Sequence, residues 1–355
     1  MFSRSYSTAA KGLKVSAKQT EGHLSNLIVK INAGSRYAEK DGVAHLLSRF
    51  NFQNNTHKSA LRFAREAELL GGVYGSKVSR DAITLSANFQ KEDLPYFVNS
   101  LADVITSTQF KIHELSEVVL PTAKHEVAVA SADPEYQAVE ALHALAFRNG
   151  LGKPLLYDGV SKATLDDIKA YASKAYTASN IEIYGSGVDE SALVKFIGES
   201  SFESLAEGSA LTDAVKTQEG ESRIRSANGN AAAIGAPIAP AEIGLYETIA
   251  TFLNETTNVK AAVHKYSDAG LFTVVAADAC PVAVSATIKS VVSTLKSGIN
   301  ASEFSALTKT KLAIESESSP YTAEPTVSSV GEFSLGKFSY VAIGNVSALP
   351  YADEL

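Results

Sequence analysis

The stretch Gly34-Ser-Arg-Tyr-Ala-Glu-Lys-Asp-Gly42-Val-Ala-His45-Leu-Leu-Ser48-Arg49 decides how the rest of the chain is read. Just before it, Leu27, Val29 and Ile31 alternate as the inward residues of a half-buried strand do. Ala33-Gly34-Ser35 follows as a turn, and Gly42 opens a short helix running through Phe50. The unit is strand, turn and helix, with a histidine, a serine and an arginine in the helix.

Working outward, residues 58–70 are amphipathic, with Leu61, Ala64 and Leu69 as expected core positions and Gly71-Gly72 as the stop. Residues 73–78 and 82–89 read as a strand pair, followed by helical stretches at 94–106, 113–130 and 135–148. Thr164-Leu-Asp-Asp167 places an acid three residues after a capping hydroxyl, a helix start that leads into a strand at 180–185. Residues 199–226 are rich in Ser, Glu and Gly and poor in aliphatic clusters, as a linker is. Beyond them the order recurs. Asp268-Ala-Gly-Leu-Phe-Thr-Val-Val275 and the helix at 282–295 repeat the plan of Asp81-Ala-Ile-Thr-Leu-Ser-Ala-Asn-Phe89 and the helix at 94–106. A divergent internal duplication explains this. The expected fold is α+β, with related domains at 21–198 and 227–355, each a mainly antiparallel sheet with helices on one face.

Composition sets limits on the chemistry. The chain has 355 residues, 45% hydrophobic and 20% charged, with a formal net charge of −7. No concentrated Lys/Arg run is available for a phosphate backbone, which argues against nucleic acid as a partner. The single cysteine, Cys280, excludes an intrachain disulfide, a Cys-based zinc site and a cysteine-ligated iron–sulfur cluster. In Ala-Asp-Ala-Cys280-Pro-Val-Ala-Val it is expected as a small buried residue. The longest uncharged stretch, 226–241, is too short and too rich in Ala, Gly, Asn and Pro to span a membrane.

The first twenty residues have a different character. They carry Arg4, Lys11, Lys14 and Lys18 and no acid, and are rich in Ser, Ala and Thr. Residues 1–20 have the composition of a mitochondrial transit peptide, drawn inward by a matrix-negative potential. Arg4-Ser5-Tyr6-Ser7 resembles a matrix-peptidase cleavage site, which would cut after Tyr6.

The opening stretch resembles the pitrilysin family of zinc proteases, which includes the mitochondrial processing peptidase. Active members carry Gly-Ser-Arg and then Gly-x-x-His-x-x-Glu-His. Two His four apart share one helix face and ligate zinc, while the Glu between them is general base. Here His45 keeps the first ligand position, Ser48 stands at the base position and Arg49 at the second ligand. A serine hydroxyl does not take a proton from water at neutral pH, and a guanidinium stays cationic and binds no metal. Glu126, 77 residues after Arg49, matches the distal ligand by spacing. The expectation is no metal, no cofactor and no proteolysis: His45 a hydrogen-bonded helix residue near the core, Glu126 a solvated helical charge. His113 and His125, twelve residues apart, lie about 18 Å from one another along a helix and cannot share a metal.

Longer strings are similar to a fungal branch of the family, the core subunits of the ubiquinol–cytochrome c reductase complex (respiratory complex III). They include Arg49-Phe-Asn-Phe-Gln-Asn54, Glu68-Leu-Leu-Gly-Gly72, Pro154-Leu-Leu-Tyr-Asp-Gly159 and Leu335-Gly-Lys-Phe338. The resemblance implies a non-catalytic scaffold on the matrix side of the mitochondrial inner membrane, peripheral and without a span of its own. It implies core protein 1, cytochrome b, cytochrome c1, the Rieske iron–sulfur protein and small subunits as partners in a dimeric complex. The competing readings are an active matrix metalloprotease, which Ser48 and Arg49 oppose, and the alpha subunit of the processing peptidase. The latter should carry a dense glycine-rich loop, and this sequence has none.

Overall fold

A computed structural model describes residues 7–8, 12–318 and 332–355. The chain divides into two compact units, one of Met1–Glu126 with Leu155–Asp213, the other of Val127–Pro154 with Ala214–Leu355.

In the first unit the strands are β1 (Ser7–Thr8), β2 (Lys14–Lys18), β3 (Leu24–Ile31), β4 (Val73–Val78), β5 (Ile83–Gln90) and β6 (Ile181–Ser186). They lie in the order β1-β2-β6-β3-β5-β4. Only β2 and β6 pair parallel; the other neighbours are antiparallel. Register brings Val15, Ile183, Val29 and Leu85 into one row across four strands, all four side chains buried. Such a row is what period-two alternation creates when one sheet face meets a core. Helices Val43–Phe50, Leu94–Thr106, Leu165–Ala175 and Glu190–Gly198 bury Leu46, Phe97, Leu101, Ile168 and Leu193 in that core.

In the second unit the strands are β7 (Glu221–Arg225), β8 (Asn230–Ile238), β9 (Lys260–Lys265), β10 (Gly270–Asp278), the short β11 (Ile299–Asn300) and β12 (Glu332–Phe333), and β13 (Ser339–Gly344). The main sheet runs β7-β13-β8-β10-β9, with β7 and β13 parallel. Setting the two-residue strands aside, both sheets have one plan. The first strand lies parallel beside the last, the last beside the second, the second beside the fourth, and the fourth beside the third. The duplication seen as a faint sequence pattern is thus a duplication of topology.

The second sheet is covered on both faces, where the sequence suggested one. Ala232, Ile234, Ala236 and Ile238 face a core with Ile249, Leu253, Ile288 and Val292 from helices Ile243–Thr256 and Pro281–Ser297. The alternate residues Ala231 and Ala233 meet Ala138, Leu142 and Ala146 of the helix Pro134–Phe147. Those three are four apart and so share one helix face. Small side chains on the sheet let the helix sit close: a Cβ on Gly235 would lie 3.0 Å from a Leu142 methyl.

The compact units also differ from the contiguous division 21–198 and 227–355. Residues 127–154 pack with the second unit, because the helix above covers its sheet. The stretch 199–226 is shared. Its first part is bound to the first unit through Ala178 N–H to Ala206 O (2.9 Å) and Leu211 N–H to Asn180 Oδ1 (3.1 Å). Its last part is strand β7.

Three further expectations are corrected. Within 1–20, the cut after Tyr6 lies outside the described residues, but Lys14–Lys18 is a sheet strand that carries buried Val15 and follows buried Leu13. That segment belongs to the folded unit, so removal of all twenty residues would delete a strand. On the helix Ala60–Leu69, Phe63 and Ala67 face the core, leaving Leu61, Ala64 and Leu69 exposed. Cys280 is exposed as well. It precedes Pro281 at the start of its helix, and its N–H donates to Asp278 Oδ1 (2.8 Å) in the turn after β10.

Candidate functional site

His45, Ser48 and Arg49 sit on the helix Val43–Phe50, and Glu126 on Leu120–Ala132, which follows the π-turn Leu115–Val119. Gly42 starts the first helix in the left-handed region (φ +76°). A Cβ there would lie 2.5 Å from Tyr157 Cα, so glycine is required both by conformation and by the close approach of the chain at Tyr157.

The sequence placed Glu126 by spacing alone and left it solvated; the structure brings it onto the motif. His45 Nε2 lies 2.7 Å from Glu126 Oε2, and Arg49 Nε lies 3.3 Å from the same oxygen. Behind the ring, the Tyr157 backbone N–H donates to His45 Nδ1 (3.1 Å). Burial, the largest influence, pushes the His45 pKa below its usual 6.5, against the opposing hydrogen bond to Glu126. The imidazole is therefore neutral at pH 7, and its contact with Glu126 is a hydrogen bond to a charged acceptor.

Ser48 is buried and turned into its own helix, donating to His45 O (2.7 Å). Its carbonyl accepts from Ser76 Oγ (2.8 Å), which accepts from Asn51 Nδ2 (3.1 Å), whose Oδ1 accepts from Tyr176 OH (2.7 Å). A pocket of about 240 Å³ lies alongside, lined by Ser48, Arg49, Phe52, Tyr74 and Ser76 among others. Arg36 of the Gly-Ser-Arg run is buried elsewhere in the unit, donating to Asp81 Oδ1 (2.9 Å) and to Asp213 O (2.8 Å).

The residues present do not fit the zinc of the active proteases. Of the positions that would surround it, one is a cationic guanidinium and one a hydroxyl engaged with its own backbone. Among the described residues, no group of three or more His, Cys, Asp and Glu is placed to hold a metal ion. His113 and His125 lie on one continuous helical run, Ile112–Glu114 passing through the π-turn Leu115–Val119 into Leu120–Ala132. Sequence reasoning missed Tyr157. Its contact is made by backbone, so the side chain carried no signal; the only pointer was the string Pro154–Gly159 in which it lies.

The strand plan and the helix motif define a class: residues 14–159 match the family model for insulinase, peptidase family M16. A Helicobacter pylori protease of solved structure has the same fold (TM-score 0.80, 96% of this chain and 99% of that one, 16% identity). Among curated proteins, cytochrome b-c1 complex subunit 2 of Saccharomyces cerevisiae is 45% identical over 98% of this chain and 97% of its own length. The Debaryomyces hansenii protein of the same name is 45% identical over 99% and 98%. The mitochondrial-processing peptidase alpha subunit of Solanum tuberosum matches at 27% over 53% of this chain and 38% of its own length. The chain belongs to the family of cytochrome b-c1 complex subunit 2 proteins, and its residues 14–159 carry the likeness to peptidase family M16.

Proposed function

We propose that this chain is a core subunit of the mitochondrial cytochrome b-c1 complex, respiratory complex III, and that it acts as a non-catalytic scaffold. The observation that carries this is identity of 45% along almost the whole of both chains to a subunit of that complex. The processing-peptidase alpha reading has less support, at 27% identity over about half the chain. Ser48 and Arg49, standing where a general base and a metal ligand would be needed, support the absence of proteolysis.

As a scaffold it would sit at the matrix face of the inner membrane with core protein 1, cytochrome b, cytochrome c1 and the Rieske protein. No helix among the described residues is long and apolar enough to cross a membrane, so attachment would be through protein contacts. Exposed Leu61, Leu69 and Val73 in the first unit are apolar surface of the kind interfaces cover. Stable interfaces of this sort bury more than about 2,000 Å², so losing the subunit should destabilise its neighbours. Deletion is expected to deplete assembled cytochrome b and to lower ubiquinol–cytochrome c reductase activity, and the chain carrying Ser48→Ala should restore both. A deletion strain with a fully assembled, active complex would overturn the proposal.

A further inference from the structure

We infer that His45 is held in the tautomer with hydrogen on Nε2 by the Tyr157 backbone N–H on one side and the Glu126 carboxylate on the other, so the family's first ligand position is closed to metal at the imidazole itself. The inference rests on the reading of the site as metal-free and adds a second, independent reason for it. A neutral imidazole carries one N–H and one lone pair. The Tyr157 amide can only donate, and it lies 3.1 Å from Nδ1, so the lone pair is on Nδ1 and the hydrogen on Nε2. That hydrogen points at Glu126 Oε2, 2.7 Å away, which can only accept. Both contacts agree on one tautomer.

A metal at Nε2 needs the reverse arrangement. The lone pair must face the ion, and Nδ1–H must donate to a carbonyl or carboxylate behind the ring. Here a donor occupies the place where the acceptor should be. Tyr157 is buried, so its N–H has no water to turn to and stays with the ring. The backbone reaches that point because Gly42, one helical turn before His45, leaves no Cβ in its way. Glu126 Oε2 is engaged in the same way, approached by both His45 Nε2 and Arg49 Nε. Arg49 places a positive charge beside Glu126, where the metal of an active member would have been.

Restoring the missing side chains should therefore not restore the metal. In the full-length Ser48→Glu/Arg49→His chain, equilibrium dialysis against zinc should leave occupancy well below one ion per chain. Adding Tyr157→Pro, which deletes the amide donor, should raise zinc affinity by about 10- to 100-fold over the double variant, the usual effect of a ligand's outer partner. Independently of whether those variants fold, long-range ¹H–¹⁵N correlation on the unmodified, ¹⁵N-histidine-labelled chain should find the His45 hydrogen on Nε2, unchanged by added zinc. A His45 hydrogen on Nδ1 would overturn the inference. So would a double variant that takes one zinc per chain equally tightly with and without the added Tyr157→Pro change. Zinc bound stoichiometrically by the unmodified chain would contradict the non-catalytic reading as well, whereas zinc bound only after the double substitution leaves that reading standing.

Discussion

Leu142→Ala tests whether a helix from the first half of the sequence is part of the second unit's core. Leu142 is fully buried between Ala138 and Ala146 and lies over Gly235 of β8. Truncation removes three carbon atoms, about 2.4 kcal/mol at roughly 0.8 kcal/mol each. The cavity left against the sheet brings the expected loss to about 3 to 4 kcal/mol. Gly235→Ala alone adds a methyl 3.0 Å from Leu142 Cδ2. It should cost about 1 kcal/mol, overpacking being partly offset by the entropy glycine no longer loses. Together the two changes should cost less than their sum, by about 1 to 2 kcal/mol, because the new methyl grows into the space Leu142 vacates. Amide hydrogen exchange along β8, with β3 of the first unit as internal reference, measures the loss. Strict additivity, or equal loss of protection in β3, would refute the packing described for Pro134–Phe147.

The other expectations concern the site and the N-terminus. Gly42→Ala forces a left-handed backbone on a residue whose Cβ would meet Tyr157 Cα at 2.5 Å, a cost of about 3 kcal/mol; a variant unfolding within error of the parent contradicts it. Because the His45 pKa is lowered on folding from 6.5, the unfolded chain binds the extra proton. Stability from this residue is complete above about pH 6.5 and falls as acid takes the pH toward the folded pKa. His45→Gln should flatten that limb of the denaturation-midpoint profile, and an unchanged slope would contradict the assignment. Deleting residues 1–6 should leave the fold intact, whereas deleting 1–20 removes β2 with buried Val15 and should abolish assembly. Import behind a foreign cleavable presequence, so that both chains enter the matrix, followed by native gels distinguishes the two, and normal assembly of the shorter chain would contradict the role given to β2.

Much of this was legible because burial writes a period into sequence. Leu27, Val29 and Ile31 alternate toward one core, and Asp81–Phe89 and Asp268–Val275 announce equivalent strands of two equivalent sheets. Strands β2 and β7 were hidden for related reasons. Glu-Ser-Arg-Ile-Arg in β7 has no apolar alternation, with Ile224 partly exposed, and β2 sits in a basic segment whose charge pointed elsewhere. Periodicity located the helix Pro134–Phe147 but could not say which sheet it covers, since Ala138, Leu142 and Ala146 would suit either. In Ala60–Leu69 two stripes compete, and Phe63 with Ala67 prevails over Leu61 with Leu69. At the site, spacing found His45, Ser48, Arg49 and Glu126. It could not show that His45 and Arg49 both turn toward Glu126, nor that a backbone amide fixes the ring.

The most direct test of the scaffold reading is native electrophoresis of gently solubilised mitochondrial membranes, with mass-spectrometric identification of the band that holds this chain. The account predicts that the chain migrates in one large assembly with cytochrome b, cytochrome c1 and core protein 1, and that the assembly oxidises ubiquinol. Recovery of the chain only as a soluble monomer, or paired with an active presequence-cleaving subunit and free of cytochromes, would contradict it.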